Sequence, residues 1–312
     1  MDGRFAIPGV TASTPLGEAA PAILLARVAT LLGLEDAAHD GADADVIHDL
    51  RVASRRLRES MRLLAPVYGD RRLRRWRGHV RDLTGAFGPV RDADVFIEAL
   101  AEIRPALGKG GQRAAAFLAG YALGQRSRDL AQLLARLPEI GLSGERERLE
   151  RDVRKVRVES AIARSPLTAL AHDAIAVRVK AVELARAELG DEGDPAAHHE
   201  LRIAFKKLRY AAEVFAPCYG DSFDTLHVVL KSFQDALGDL HDIHVFSGII
   251  EERYSDGSAA VAGVSRGDLD TVLAASAPLE TAAMTRFGAL SETHPAGSLA
   301  EALLAPLAGA GE

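Results

Sequence analysis

Two runs of the sequence place apolar residues on one side of a helix and polar residues on the other. They cover residues 48–70 and 199–221, and the second repeats the first about 151 residues later. The apolar positions of the first run are Leu50, Ala53, Leu57, Met61 and Leu64. Those of the second run are Leu201, Ala204, Phe205, Leu208, Ala212 and Phe215. Their spacing predicts two amphipathic helices, each with one face in a hydrophobic core.

The same periodicity predicts helices along most of the chain. Thr14 is the expected N-cap and Pro15 the first residue of a helix over residues 16–34, and Ser165-Pro166 repeats this start. Further helices are expected over residues 113–137, 144–160 and 268–290 and near the C-terminus. No stretch has the strict alternation of a strand, so the sequence predicts an all-α fold.

The segments after the two amphipathic helices also match each other. Each amphipathic helix is expected to end at an Ala-Pro pair, because proline cannot continue it. The helices that follow align at an offset of about 150 residues and are expected to stop at Gly88 and Gly238. Asp92 and Asp242 are the expected N-caps of the next helices.

A repeat of this length indicates a duplicated domain. About 150 residues is too long for the unit of a solenoid. We therefore predict two similar helical bundles, residues 14–160 and 165–312, which together form one domain. Residues 1–13 contain Gly3, Pro8 and Gly9 and show no periodicity, so they are expected to form a flexible N-terminal arm.

The polar faces of the two amphipathic helices are cationic. The first carries His48, Arg51, Arg55, Arg58 and Arg62, flanked by Arg56. The second carries His199, Arg202, Lys206 and Arg209, flanked by Lys207. Like charges one turn apart cost an isolated helix roughly 0.2–0.5 kcal/mol per pair, so such columns do not stabilise the helix itself. The first column is about 20 Å long, which suits an extended polyanion.

Charge is also segregated along the chain. The net charge is −6, but residues 48–91 carry twelve Lys and Arg against four Asp and Glu, whereas residues 251–312 carry three against nine. Arg81 and Lys231 occupy matching positions on the next helix and join the candidate anion site. His48 and His199 begin the two columns, where they either donate a hydrogen bond to the anion or fix the helix start.

Composition restricts the possible classes of protein. At 312 residues, with 48% hydrophobic and 26% charged residues, the chain is expected to be globular. The single cysteine, Cys218, permits no disulfide within one chain and fits a reducing cytoplasm. There is no secretory signal pattern, and Arg27 interrupts the first apolar helix, so neither export nor a membrane span is expected. Without a P-loop, dinucleotide motif or activated nucleophile, we expect no cofactor and no catalysis.

Two other functions remain open at this stage. His-Asp pairs, such as His241-Asp242, are typical of helical metal-dependent phosphohydrolases, and the densest group of possible ligands is Asp239, His241, Asp242 and His244. Nucleic-acid binding through the basic surface is the third interpretation. Aromatic residues make up only 5% of the chain, which gives base stacking little support, so that binding would be non-specific and salt-dependent.

The two basic runs resemble the CHAD family, the conserved histidine α-helical domain. Its pattern is a His, an Arg three residues later, a Lys/Arg pair and a further Lys/Arg, here His48-Arg51-Arg55-Arg56-Arg58 and His199-Arg202-Lys206-Lys207-Arg209. The Gly-x-x-x-Asp segments at residues 88–92 and 238–242 resemble its second hallmark. The resemblance covers about residues 14–308.

That resemblance implies two pseudo-twofold-related bundles whose basic helices face each other across a central cavity that binds inorganic polyphosphate. With the cytoplasmic location that the single cysteine favours, the protein is expected to bind polyphosphate there, either free or at polyphosphate granules. Family members often adjoin a triphosphatase domain with a Glu-x-Glu-x-Lys strand. That strand is absent here, since the nearest string, 145–149, is helical in pattern and ends in Leu149. Glu213 stands where the first copy has Arg62, so the second half is expected to contribute less charge.

Overall fold

The fold is all-α, as predicted. The computed structural model describes residues 5–40, 43–68, 70–156, 160–189 and 194–308, apart from the side chains of residues 39, 40 and 70–72. Its helices are α1 (Leu16–Asp40), α2 (Ala44–Leu63), α3 (Ala65–Tyr68), α4 (Asp70–Ala86), α5 (Gly88–Ile103), α6 (Lys109–Ile140), α7 (Arg146–Arg154), α8 (Ala161–Arg164), α9 (Leu167–Ala187), α10 (Pro195–Val214), α11 (Phe223–Ser255), α12 (Ser258–Val261), α13 (Arg266–Thr293) and α14 (Ala296–Ala308). Short 3₁₀ turns lie at Arg104–Ala106, Ser143–Glu145, Ala216–Cys218 and Gly220–Ser222.

The two predicted amphipathic helices are α2 and α10. Asp43 caps α2 by accepting a hydrogen bond from the Val46 backbone N–H at 2.8 Å. Asp194 caps α10, which has Pro195 in its first turn. Their predicted apolar faces are buried, and both helices end shortly before the Ala-Pro pairs. The hydrophobic pattern therefore determines which face of each helix remains for other contacts.

The prediction that Asp92 and Asp242 are N-caps is wrong. In the first half, α5 begins at Gly88 with Pro89 in its first turn, so Asp92 lies inside the helix. Proline lacks an N–H and would clash with the preceding turn, so α4 must end before it. No proline follows Gly238, and α11 continues through it without a break.

The other helices follow the prediction with shifted ends. The helices expected over residues 113–137 and 268–290 are α6 and α13, both slightly longer. The helix expected over residues 144–160 is shorter, because α7 ends at Arg154, and residues 157–159 lie outside the described chain. Buried Glu35 holds the connection between α6 and α7. It accepts hydrogen bonds from the backbone N–H groups of Leu142 and Ser143, all at 3.0 Å.

Helix α1 is longer and more apolar than expected. The segment Leu16–Ala38 could cross a membrane by length and composition alone, with a mean hydropathy of 1.4, although Arg27 lies within it. In this fold, however, one face of α1, including Ile23 and Leu24, is buried in the core. Its apolar character is therefore accounted for by packing against the rest of the protein.

Buried apolar side chains form two clusters. The larger one joins α1, α2, α4, α9, α10 and the first part of α11, with Trp76 and Phe205 at its centre. The smaller one joins the ends of α5 and α11 to the starts of α6 and α13, and includes Phe96 and Phe246. Each cluster draws side chains from both predicted halves of the sequence. The division at residues 160 and 165 stays a prediction.

Segments that match in sequence also meet in space. The Leu16 N–H donates to the Ser165 carbonyl at 2.9 Å, and the Leu167 N–H donates to the Thr14 carbonyl at the same distance. These reciprocal bonds join the starts of α1 and α9. Such an exchange is expected if the two halves are related by twofold symmetry. The duplication itself remains an inference from the sequence.

The segment before α1 packs against the second half from Phe5 onward. Phe5 is buried, and its ring lies 5.4 Å from that of Phe223 and 4.7 Å from that of His227, measured between centroids. Val10 also contacts the larger cluster. The sequence predicted a flexible arm over residues 1–13, of which residues 1–4 lie outside the described chain. The apolar residues of this segment explain why it packs.

Candidate functional site

A cavity of about 440 Å³ lies between the two apolar clusters. The polar faces of α2 and α10 form one wall, and α5 and α11 form the other. Both α5 and α11 pass from the larger cluster to the smaller one along this wall. Phe96 and Phe246, whose ring centroids are 5.0 Å apart, also line the cavity. The fold thus places a polar cavity between two hydrophobic clusters.

The α2 and α10 wall is cationic. Arg51 and Arg55 come from α2, whereas Arg202 and Lys206 come from α10. In each pair the residues are four positions apart, so they lie one turn apart on the same helix face. His48 lines the cavity at the start of α2. The structure therefore brings these five predicted site residues together.

Packing makes this group of cations costly for the protein. Burial, followed by the charges of Arg55 and Arg202, lowers the pKa of Lys206 to about 8. Burial followed by the charge of Arg55 also lowers the pKa of Arg51. Within the described chain, the buried Nε of Arg202 has no hydrogen-bond partner. Desolvated like charges and an unpaired donor are unfavourable, and a bound anion would relieve both.

The opposite wall supplies acidic groups that the sequence analysis did not place here. The carboxylates that line the cavity are those of Asp92, Asp235, Asp239 and Asp242. Asp235 is paired with Lys231 of the same helix, and Asp239 with Arg286. Both carboxylates are therefore already compensated by cations that do not line the cavity.

The remaining two carboxylates face the cations more directly. Asp92 Oδ1 lies 3.8 Å from Arg51 Nη2, and the Asp92 side chain is largely exposed. Burial raises the pKa of Asp242, although the charge of Arg202 opposes this shift. The α2 and α10 side of the cavity therefore carries cations, and the four carboxylates lie on the α5 and α11 side. An anion would bind near the cations and away from these two carboxylates.

Two further basic side chains line the cavity, and the two basic columns do not include them. Arg91 is half-buried and donates a hydrogen bond from Nη1 to Glu98 at 3.1 Å. His241 lies beside His199, with their Nδ1 atoms 3.3 Å apart. Burial and the charge of Arg202 lower the pKa of His241 to about 4. Arg91 and His241 occupy matching positions in the two Gly-x-x-x-Asp segments, which is the signal that would have identified them.

Comparison with known protein families decides the classification. The model of the CHAD domain matches residues 22–251. The chain belongs to the CHAD-domain family. A search of curated proteins finds no match for this chain.

Two solved structures share the CHAD fold with this chain. The crystal structure of the CHAD domain from the plant Ricinus communis has a TM-score of 0.64 and 23% sequence identity, and covers 99% of this chain and 97% of its own. PptA from Streptomyces chartreusis has a TM-score of 0.68 and 16% identity, and covers 89% of this chain and 100% of its own. At these identities the likeness establishes the fold.

Two of the predicted binding residues of this CHAD domain lie in a buried ion-pair cluster instead of the cavity lining. Arg56 donates from Nε and Nη2 to the Glu213 carboxylate at 2.6 and 3.1 Å. Arg209 donates from Nη1 to Glu213 at 2.7 Å, and His227 Nε2 lies 3.0 Å from the same oxygen. Burial alone would raise the pKa of Glu213, but the bonds from His227 and Arg56 bring it to about 2. The cluster fastens α2 to α10.

Arg58 and Arg81 do not line this cavity, but the charges of Arg55 and Arg81 both act on Arg58. Arg58 is half-buried, and burial followed by the charge of Arg55 lowers its pKa. Arg81 is largely exposed, pairs with Asp82 at 3.1 Å, and lines a separate cavity of about 550 Å³ with Arg136. These residues therefore continue the cationic surface from α2 towards α4.

The remaining predicted site residues face other partners or solvent. Arg62 donates from Nε to Glu59 at 2.8 Å, and Arg178 of α9 donates to the same carboxylate at 3.1 Å. Lys207 is exposed next to Lys206, and Lys231 is bound to Asp235. These three predicted cations, Arg62, Lys207 and Lys231, do not line the cavity. The sequence identified the helices correctly but not which cations point inwards.

The residues considered as metal ligands make contacts with other side chains. His244 Nε2 lies 3.4 Å from Glu280, Asp239 is paired with Arg286, and His241 contacts His199. In the described part of the chain, no three His, Cys, Asp or Glu side chains are grouped so that they could hold a metal ion. The expectation that this CHAD domain has no catalytic activity stays a prediction.

Proposed function

We propose that this CHAD domain binds inorganic polyphosphate in the cavity between α2, α10, α5 and α11. The observation that carries the proposal is the convergence of Arg51, Arg55, Arg202 and Lys206 on one cavity wall. These cations are partly desolvated and repel one another. Phosphate groups would supply the missing negative charge and accept hydrogen bonds from the buried Arg202 Nε.

The distribution of charge favours a chain of phosphates over a single one. The cations come from two helices and continue outside the cavity to Arg58 and Arg81. The carboxylates of Asp92 and Asp242 would repel an anion and keep it near the cations. A linear polyanion can follow such a track, whereas one phosphate ester would engage only part of it.

The test is calorimetric titration with polyphosphate of defined length. The variant combines Arg51→Gln, Arg55→Gln, Arg202→Gln and Lys206→Gln, and the control combines Arg146→Gln and Arg148→Gln on the exposed face of α7. We expect the control to bind as the unmodified protein does, and the cavity variant to bind at least about 100-fold more weakly. Circular dichroism and thermal unfolding verify that both variants fold.

Salt dependence and competition define the ligand further. Because binding releases condensed counterions, the affinity should fall steeply as salt is added, and the slope should be smaller for the cavity variant. Single-stranded RNA at equal phosphate concentration should compete poorly, because the cavity wall offers arginines but few aromatic platforms for bases. A folded cavity variant with unchanged affinity, or equally strong binding of RNA, would contradict a polyphosphate-specific site.

We propose that the protein binds polyphosphate without hydrolysing it, in the cytoplasm and at polyphosphate granules. The buried thiol of Cys218, whose pKa burial raises to about 12, is protected from reaction and compatible with a reducing compartment. Release of phosphate from polyphosphate in the presence of Mg²⁺ would count against the binding role. A fluorescent fusion that stays uniformly distributed in cells containing granules would count against the location.

A further inference from the structure

Lys206 differs from the other described lysines in its surroundings. It is half-buried on α10 and lines the cavity. The charges that act on it most strongly are all arginines, first Arg55 and Arg202. By contrast, Lys180 is exposed and paired with Glu183 at 3.2 Å, and Lys207 is exposed beside it in sequence. An amine among guanidinium groups is suited to react with an anionic reagent.

We infer that Lys206 is a site of acylation by acyl phosphates, such as acetyl phosphate, and that the resulting amide weakens the anion site. The inference rests on the proposed function in one respect, since both require the cavity to hold a phosphate group. Acyl phosphates are then a second class of ligand for the same cavity, and acylation of Lys206 changes the charge of the cavity.

Two properties of the cavity favour the reaction. Burial and the neighbouring arginines lower the pKa of Lys206 to about 8, so about half of its amine is neutral and nucleophilic at about pH 8. Arg55 and Arg202 lie beside it and can bind the phosphate end of the reagent. When the arginines bind the phosphate end of the reagent, its acyl carbonyl lies near the amine. The acyl transfer then takes place within the bound complex and no longer depends on a bimolecular collision.

The reaction is an acyl transfer without oxidation or reduction. The neutral Nζ attacks the carbonyl carbon, forming a C–N bond, and the bond between that carbon and the phosphate oxygen breaks. The phosphate leaves with the electron pair of that bond and takes up the proton that the amine loses. The arginines stabilise the departing phosphate by the same contacts that bound the reagent. The products are an acetylated Lys206 and inorganic phosphate.

The modification removes one positive charge from the cavity wall. Polyphosphate should then bind more weakly, and the dependence of its affinity on salt should decrease by roughly one counterion. Acetylation of Lys180 should have no such effect, because Lys180 does not line the cavity and its charge is already paired with Glu183.

The experiment exposes the full chain to acetyl phosphate at about pH 8 and follows each lysine by peptide mass spectrometry over time. We expect Lys206 to be acetylated roughly ten times faster than Lys180. The preference for Lys206 over Lys180 should decrease in Arg55→Gln and when inorganic phosphate is added, and the rate at Lys206 itself should be unchanged in Lys180→Arg. A neutral acylating ester should show a smaller preference, because the arginines do not recruit it.

Equal rates at Lys206 and Lys180 would overturn the inference, as would a preference that inorganic phosphate and Arg55→Gln leave unchanged. Polyphosphate titration of the unmodified protein is performed in parallel and tests the proposed function separately. Polyphosphate binding without preferential acetylation would overturn only the present inference. Preferential acetylation without polyphosphate binding would overturn only the polyphosphate assignment and support a cavity for small acyl phosphates.

Discussion

Arg56 of α2 and Glu213 of α10 form a two-point ion pair inside the protein, with Nε–Oε2 and Nη2–Oε1 distances of 2.6 and 3.1 Å. Glu213 is 1% exposed and also binds Arg209 and His227. One carboxylate therefore compensates cations from both basic helices. This arrangement brings α2 and α10 together while the rest of their charge faces the cavity.

The first prediction concerns stability. Glu213→Gln keeps the shape of the side chain but leaves Arg56 and Arg209 without a negative partner in a buried site. Removing one member of a buried ion pair costs about 3 kcal/mol or more, so the free energy of unfolding should decrease by about that amount. Urea denaturation measures it. Glu183→Gln removes the exposed partner of Lys180 and should change stability by less than about 0.5 kcal/mol. Equal effects of the two substitutions would contradict a structural role for the cluster.

The second prediction is the pH dependence of that stabilisation. The pKa of Glu213 in the folded protein is about 2, below the ordinary value of 4.5. The ionised form is therefore favoured by folding, and its contribution is complete above the unfolded value and lost as the pH falls through the folded value. The stability difference between the unmodified protein and Glu213→Gln should shrink between about pH 4.5 and about pH 2. A constant difference across this range would show that the carboxylate charge is not what stabilises the pair.

The sequence could predict the helices and the orientation of their apolar faces, because both follow from local periodicity. Leu50 and Leu201 are fully buried as expected. Arg55 and Arg56 show what periodicity cannot provide: they are adjacent in sequence, yet Arg55 lines the cavity and Arg56 binds Glu213. That difference depends on how α10 packs against α2, which is a contact between distant parts of the chain.

The acidic wall was unpredictable for the same reason. If a helix began at Asp242, capping that helix would explain this residue, and the sequence pattern therefore gives no reason to place it in the cavity. The absence of a proline after Gly238 was the available signal that α11 would continue. Only the packing of α11 against α10 then shows that Asp242 faces Arg202.

The third prediction concerns Lys206 and the pH dependence of polyphosphate affinity. Its pKa in the empty cavity is about 8, and a bound anion raises it because the anion favours the charged amine. Below this pKa the amine of Lys206 is protonated and attracts the anion, and it loses this proton as the pH rises through the pKa. Affinity should therefore fall between about pH 7 and about pH 9, by at most tenfold per pH unit for one proton. Calorimetry in buffers of different ionisation enthalpy measures both the affinity and the proton uptake.

Lys206→Arg supplies the control for this measurement. Arginine keeps its proton throughout the range, so the affinity of the variant should be nearly independent of pH. A decline of the same size in Lys206→Arg would assign the pH dependence to another group.

The fourth prediction tests Arg91, which basic columns alone did not reveal. Arg91→Gln removes a cation that α5 adds to the cavity. We expect polyphosphate affinity to fall about tenfold and the salt dependence to decrease by roughly one counterion. Arg146→Gln, on exposed α7, is the matched control and should have no effect. An unchanged affinity in Arg91→Gln would restrict the binding wall to α2 and α10.

The fifth prediction distinguishes binding from metal-dependent hydrolysis. Asp242 faces Arg202 across the cavity, and burial raises its pKa. If the cavity holds a polyanion, Asp242→Asn removes a repulsive charge, and polyphosphate should bind about threefold more tightly. Asp173→Asn, at a largely exposed His-Asp pair on α9, should leave the affinity unchanged. If Asp242 were instead a ligand of a catalytic metal, the substitution would reduce Mg²⁺-dependent phosphate release without strengthening binding. The direction of the change in affinity therefore decides between a carboxylate that limits the anion site and one that serves catalysis.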